Sequence, residues 1–277
     1  MTWKNKFTTK NKFYETDNGI LYNGNCINIL QTLPENSIDL VVTSPPYNVG
    51  IQYSDWDDTL SLENYFDFML QFLNKIYYVL KKDGRFAINI PYDTNMKHKT
   101  NGRVSILCEF YAMLKQANLN YYTIVDLHED TPHRIKYTAW GSWKSASAPY
   151  IYNPKEAILI GYKSVWKKAT KGKSTLTTNE FKEITSGIWN YKAETHGLTL
   201  ANYSLDLPIK AIKGLSYEND IILDPFIGSG TTAVAAEGLN RRWIGIEISK
   251  KYCKVFKKRL EKEQHLLLPF ACVTEKR

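Results

Sequence analysis

A chain of 277 residues, 43% of them apolar, can build one large domain, or one domain with a small insertion. Its 36 Lys and Arg outnumber its 28 Asp and Glu by eight, and a pI near 9.1 points to an anionic partner, nucleic acid first. With no apolar run near the length of a membrane span and no charged-then-apolar leader, an exported or membrane-spanning protein is not expected and the cytoplasm is.

Residues 1–19 are polar and are expected to form an arm or a loose strand. Ile20-Leu21-Tyr22 reads as a short strand, followed by a turn at Asn23-Gly24-Asn25 and a helical spacing from Cys26 to Leu33. The apolar run 38–42 predicts a buried strand that delivers Thr43-Ser44-Pro45-Pro46-Tyr47-Asn48. Two consecutive prolines fix the backbone there and remove two N–H donors, which leaves carbonyls to face a ligand. With an aromatic ring and a hydroxyl beside them, these groups suit a planar heterocycle that carries an amino group. The plain alternative is a polyproline-like surface turn.

Residues 48–60 form a polar loop containing Asp55-Trp56-Asp57-Asp58. From about Ser61 to Leu80 the residues Tyr65, Phe66, Met69, Phe72, Leu73, Ile76 and Val79 make a helical stripe, read as core. A turn at Lys82-Asp83-Gly84, a strand over 85–90, a helix from Val104 to Gln116 and a strand from Leu119 to Val125 follow. Residues 128–150 are rich in Pro, Ser and aromatics, and Trp140-Gly141-Ser142-Trp143-Lys144 sets Lys144 beside two indoles as a candidate DNA contact. After an apolar strand from Glu156 to Tyr162 the composition turns Lys- and Thr-rich. Residues 164–195 are therefore expected to be an inserted DNA-reading element, with Lys167, Lys168, Lys171 and Lys173 on phosphates; a solvated surface loop is the alternative.

Asp220-Ile221-Ile222-Leu223-Asp224 predicts a strand, Pro225-Phe226-Ile227-Gly228-Ser229-Gly230-Thr231-Thr232 a Gly-rich turn, and Ala233, Ala235 and Ala236 a helix start. A second strand, Trp243-Ile244-Gly245-Ile246, ends in Glu247. Strand, Gly turn, helix, strand and acid make up the nucleotide-cofactor half of an α/β sheet, in which glycines let the backbone approach the ligand and the acid accepts from ribose hydroxyls. The run lacks a Lys after its second Gly, so a cofactor without phosphates fits better. A basic helix around Lys250–Arg259 closes the reading. Cys26, Cys108, Cys253 and Cys272 lie far apart and the five histidines do not cluster, so neither disulfides nor a metal site is expected.

Ser44-Pro45-Pro46-Tyr47 and Asp224-Pro225-Phe226-Ile227-Gly228-Ser229-Gly230-Thr231-Thr232 resemble, in that order, the catalytic and cofactor loops of the β-group DNA amino-methyltransferases. The resemblance implies an α/β fold: a doubly wound, mostly parallel sheet of the S-adenosylmethionine-dependent methyltransferase type, with a small inserted target-recognition region. The chain then divides into a first catalytic part (1–163), the insert (164–195) and a second catalytic part (196–277). Ser44, Pro45, Pro46 and Tyr47 are the implied catalytic residues. Asp224, Phe226, Gly228, Ser229, Gly230, Thr231, Thr232 and Glu247 are implied for S-adenosylmethionine. Asn25 stands where the family carries an acid thought to touch adenine; its amide can still hydrogen-bond the ring. His196-Gly197-Leu198 is similar to the segment that packs on the cofactor's methionine end, without the Pro and Ala that usually follow. Ser rather than Asp before Pro-Pro-Tyr, together with Leu205-Asp206-Leu207-Pro208, leans to cytosine-N4. Adenine-N6, a protein glutamine amide, and an inactive DNA-binding module are the alternatives. The implied partners are double-stranded DNA and a cognate restriction endonuclease, with a homodimer open.

Overall fold

The computed structural model describes residues 2–53, 55–93, 104–129, 142, 144–149, 155–191 and 204–263. After a 3-10 turn at Trp3–Lys6 come β1 (Lys12–Glu15), β2 (Gly19–Asn23), α1 (Cys26–Leu30), β3 (Ile38–Thr43), α2 (Leu62–Val79) and β4 (Leu80–Pro91). Then follow α3 (Ile106–Gln116), β5 (Asn120–Glu129), β6 (Glu156–Tyr162), α4 (Thr178–Ile184) and β7 (Ile188–Tyr191). The chain continues through α5 (Asp206–Leu215), β8 (Ile221–Asp224), α6 (Thr231–Gly238), β9 (Arg242–Glu247) and α7 (Lys250–Glu263).

Among the described residues the strands form one sheet in the order β1-β2-β9-β8-β3-β4-β6-β5-β7. Only β1 and β6 run against the rest. Residues alternate between the two faces, as a pleated strand requires. Ile20, Tyr22, Val41, Phe86, Ile88, Leu223, Ile244 and Ile246 pack on α1, α2 and α3, while Leu21, Leu40, Val42, Ala87, Ile222 and Trp243 pack on α5, α6 and α7. Apolar residues on both faces of each central strand are what a parallel sheet covered on both sides needs. The fold is thus the expected doubly wound, mostly parallel α/β sheet.

α2 buries the expected stripe: Tyr65, Met69, Phe72, Leu73, Ile76 and Val79 are inside and Phe66 half-buried, with Ser61 capping the first turn by accepting from Asn64 N–H. The connection from β3 crosses through α2 to β4 on one side, and that from β8 crosses through α6 to β9 on the other. The order therefore reverses between the neighbours β3 and β8. Ligands in open α/β sheets bind at such a switch point, outside the carboxyl ends of the strands.

One expectation changes, and two placements go beyond the sequence reading. The turn at residues 82–84 lies inside β4, as a tight bend: a Cβ on Gly84 would come within 2.9 Å of Lys81 backbone N and O. Asp206–Leu215 is a helix, its Leu207, Ala211, Ile212 and Leu215 buried at helical spacing. Within the described part of residues 164–195, Gly172 rests on Tyr217, α4 packs on α5, and β7 pairs with β5 in the sheet with Trp189 buried.

Candidate active site at the carboxyl edge of the sheet

A cavity of about 370 Å3 opens at the carboxyl ends of β2, β3, β8 and β9. Ser44–Tyr47 after β3 form one wall, Pro225–Ser229 after β8 and Glu247–Ser249 after β9 the opposite one. Gly24 and Asn25 after β2, and Tyr53, Asp55 and Trp56 from the loop after β3, complete it. Two segments 181 residues apart in sequence therefore face one space, because their strands are neighbours.

The Ser-Pro-Pro-Tyr loop is held from behind. Tyr65 Oη donates to Pro46 O at 3.0 Å, so α2 fixes the second proline. Asn48 turns the chain at φ 57°. The backbone N–H groups of Asn48, Val49, Gly50 and Ile51 then all donate to the Asp58 carboxylate, at 3.0, 3.1, 3.1 and 3.0 Å. Burial raises the Asp58 carboxyl above its ordinary range, and these four donors pull it back toward the ionised form. Inside the loop, Ser44 Oγ donates to Tyr47 Oη at 3.0 Å, and Tyr47 Oη donates to Glu156 Oε2 at 3.0 Å. Asn89 Nδ2 donates to the same Glu156 oxygen at 2.7 Å. Burial, with Glu156 second, holds the Tyr47 phenol well above its usual value, so it stays protonated. Asn89 is 2% exposed and borders the cavity, and its buried Oδ1 has no partner among the described residues.

On the opposite wall Gly228 adopts φ 54° and its N–H donates to Glu247 Oε2 at 3.0 Å, while Ser249 N–H donates to Oε1 at 2.7 Å. Burial pushes the Glu247 carboxyl up to about 7 despite these two donors. Phe226 lines the cavity and stacks edge-on with Phe72 and Phe68 of α2, at centroid distances of 5.2 and 6.2 Å. Ser229 and Thr231 also reach the cavity.

Asp224, Gly230 and Thr232 do not line it. Asp224, 1% exposed and pushed up to about 6 by burial, accepts from Thr43 Oγ1 and Thr232 Oγ1 at 2.6 Å each and from Phe226 N–H. It ties the end of β3 to the start of α6 and shapes the turn. Gly230 packs on Phe256 instead of on the cavity. Asn25 does line the cavity, but its Oδ1 caps α1 by accepting from Ile27 and Asn28 N–H. His196 lies outside the described residues.

The Lys-rich segment sits elsewhere. Lys168 is the clearest correction: its side chain is 5% exposed, its amine 2.7 Å from Asp220 and 3.6 Å from Asp39. Lys173 pairs with Glu218 at 3.1 Å, and Ala169 N–H donates to Asp83. Lys167 and Lys171 are exposed on the same stretch. These partners stand at the amino ends of β3, β8 and β4. Asp39 and Ser44 lie at opposite ends of one strand, roughly 16 Å apart at about 3.3 Å per residue. The stretch thus occupies the edge away from the cavity, because acids distant in sequence capture its lysines. Lys144, exposed and at φ 54°, belongs to the segment between β5 and β6, which leaves and re-enters the sheet at the cavity's edge.

Sequence reading missed Glu156, Asn89 and Asp58. Glu156 looked like the polar start of an apolar strand, and only the antiparallel pairing of β6 with β4 brings it to the loop after β3. Asn89, an amide inside the apolar run 85–90, was the one visible signal. Among the described residues no Lys or Arg lines the cavity and no cluster of metal-ligating side chains occurs. Apolar walls, a glycine turn and a carboxylate, without a cation, suit a nucleoside-bearing cofactor that has no phosphates.

A DNA methylase family model matches residues 38–258. The type II methyltransferase M.MjaVI of Methanocaldococcus jannaschii is 43% identical over 185 residues, 66% of this chain and 91% of that one. M.HpaI of Haemophilus parainfluenzae, a type II methyltransferase, is 29% identical over 261 residues, 86% of this chain and 73% of that one. Among solved structures, the cytosine-N4-specific PvuII DNA methyltransferase superposes with a TM-score of 0.71 at 21% identity, covering 95% of this chain and 96% of its own. M1.HpyAVI in complex with S-adenosylmethionine superposes with a TM-score of 0.54 at 21% identity, covering 87% and 98%. At those identities the two structures speak for the fold.

Proposed function

Because this chain belongs to the DNA methylase family, as a β-group amino-methyltransferase that uses S-adenosylmethionine and acts on DNA, we propose that its target is the exocyclic N4 of cytosine in duplex DNA. The observation that carries the reading is that Ser44–Tyr47 and the Gly228–Glu247 wall face one cavity. Ser at the head of the loop is the feature that favours cytosine over adenine.

The target amino group is inside the duplex, so the base must be flipped into the cavity. The Tyr47 ring stacks on it, and Ser44 Oγ and the Pro45 carbonyl accept from its amino group. These bonds draw the nitrogen lone pair out of ring conjugation and aim it across the cavity. Gly228, Ser229 and Thr231 of the turn and Phe226 would hold the cofactor at the other wall, and Glu247 would accept from its ribose hydroxyls. When bound, S-adenosylmethionine supplies an electrophilic methyl group on a sulfonium centre. The protein's part is alignment and electrostatics. Asp224, Gly230 and Thr232 act through the shape of the turn, and Asn25 presents backbone at the cavity. The type II methyltransferase relatives support a place in a restriction-modification system; a cognate endonuclease and cytoplasmic DNA are part of the proposal.

The test is base analysis by mass spectrometry of DNA from cells that lack DNA methylation and express the protein. N4-methylcytosine is the expected product. N6-methyladenine would overturn the choice of base, and no modified base from a protein that binds cofactor would overturn the reading. In vitro, Tyr47→Ala should weaken binding of the flipped base by about 1–3 kcal/mol through lost stacking. Wild-type turnover in that variant would remove Tyr47 from the site.

A further inference from the structure

The geometry points to a proton relay, Ser44 to Tyr47 to Glu156, that takes the proton the target amino group must lose; it rests on the proposed amino-group chemistry and applies to cytosine or adenine alike. An ionised carboxylate can only accept hydrogen bonds. Tyr47 Oη must therefore donate to Glu156 Oε2, which leaves the phenolic oxygen to accept. Its partner at 3.0 Å is Ser44 Oγ, so the serine proton points at Tyr47 and away from the cavity. Serine lone pairs are then what the cavity meets. Starting from one carboxylate, the polarity of the whole chain is set, and it is the polarity needed to receive a proton from a ligand N–H.

The chemistry creates a proton to move. An amino nitrogen that has taken a methyl group carries the positive charge and still holds its N–H protons. One N–H bond breaks as a proton passes to Ser44 Oγ, the serine proton passes to Tyr47 Oη, and the tyrosine proton passes to Glu156 Oε2. The electron pair of the broken N–H bond stays on nitrogen. The product is then a neutral methylamino group, Ser44 and Tyr47 are restored, and Glu156 ends as a neutral carboxylic acid that returns its proton to solvent between turnovers. Cation and carboxylate disappear together, so the step leaves no added charge beside Pro45, Pro46 and Phe68 of the cavity wall. Before transfer, the Glu156 charge already stabilises the positive charge that grows on nitrogen. Asn89 Nδ2, at 2.7 Å, holds the carboxylate in place, and burial keeps Tyr47 protonated and able to both donate and accept.

Among the described residues, the titratable groups on the elements packed against Glu156 include Tyr47, Tyr65 of α2, Tyr92 after β4 with its partner Asp126 of β5, His128 of β5 and the chain neighbour Lys155. The relay ends on Glu156 alone, so an acid limb in the rate should vanish when that residue cannot titrate. The test is single-turnover methylation by the full chain carrying Tyr47→Phe, Glu156→Gln or both. Cofactor affinity is followed by calorimetry, and flipping by the fluorescence of 2-aminopurine at the target position. Tyr47→Phe keeps the stacking ring and removes only the hydroxyl. Each variant should slow methyl transfer by about a hundredfold, the scale of a lost proton acceptor. The double variant should be no slower than the singles, Glu156→Asp should recover part of the rate, and flipping and cofactor affinity should stay at wild-type levels. With cofactor saturating at every pH, the wild-type rate should fall at acid pH and the Glu156→Gln rate should not. A Tyr47→Phe rate near wild type, or losses explained by impaired flipping, would overturn the relay while wild-type methylation of DNA stands. A wild-type enzyme that methylates no DNA base would instead overturn the reading beneath it.

Discussion

Glu247 meets opposing demands. Among the described residues, Gly228 and Ser249 N–H groups support a charge on its carboxyl in the cavity wall, and burial lifts it to about 7. Ribose hydroxyls donate best to an ionised carboxylate, so cofactor binding should pull that value down. A group whose value falls on binding releases a proton, and affinity then rises with pH until the cofactor-free carboxyl is ionised, near 7. Below that, affinity should change by up to about tenfold per pH unit. Calorimetry in buffers of different ionisation enthalpy reads the released proton directly. Glu247→Gln should bind more weakly and lose the pH dependence; a variant with wild-type affinity at pH 8 would take Glu247 out of the site. At this scale the sequence was informative for residues whose type states their chemistry. Glu247 after a strand and Tyr47 after two prolines were both legible. Glu156 was not, since a carboxylate at the start of an apolar strand has the same appearance whether it faces water or a phenol.

The turn from β8 into α6 uses its two glycines differently. Gly228 has φ 54°, and a Cβ there would come no closer than 4.0 Å, to Phe226 O. Gly230 has φ 92°, and its Cβ would fall 2.2 Å from Phe256 Cδ2 of α7. Gly228→Ala therefore meets only backbone strain, about 1–2 kcal/mol. Gly230→Ala meets the same strain and must also move a buried ring, so it should destabilise the protein by more, about 3 kcal/mol in all. Chemical denaturation of both variants checks the order, and equal losses would contradict the packing of α7 on the turn. The turn itself was legible because glycine spacing is a local signal. Which glycine serves the helix behind it and which the carboxylate beside it was not, because Phe256 follows 26 residues later. α5 was assigned to no element from the sequence: Leu205-Asp206-Leu207-Pro208 was read only as a motif, although proline is tolerated in the first turn of a helix.

Net charge is a property of the whole molecule, and its placement decides what it does. The +8 excess suggested DNA, and the Lys-rich stretch looked like the contact. Asp39, Asp220 and Glu218 instead bind Lys168 and Lys173 at the amino edge, opposite the cavity. Replacing Lys167, Lys171 and Lys173 together by Ser should leave the salt dependence of binding to target DNA nearly unchanged. If all three neutralised phosphates, the slope of log K against log salt would drop by about 2.7. A drop of that size in fluorescence anisotropy titrations would show that DNA reaches the amino edge.

The sequence by itself determined the fold class, the order of the two motifs and the kind of chemistry. These follow from local periodicity, from glycine and proline geometry, and from side chains whose type dictates what they can donate or accept. Only the tertiary structure decided that β3 and β8 are neighbours, that Glu156 on the reversed strand β6 completes a hydrogen-bond chain from Ser44, and that the lysines face away from the site. Each of these is a meeting of residues far apart in the chain. Strand order and direction set such meetings, and no local pattern encodes them.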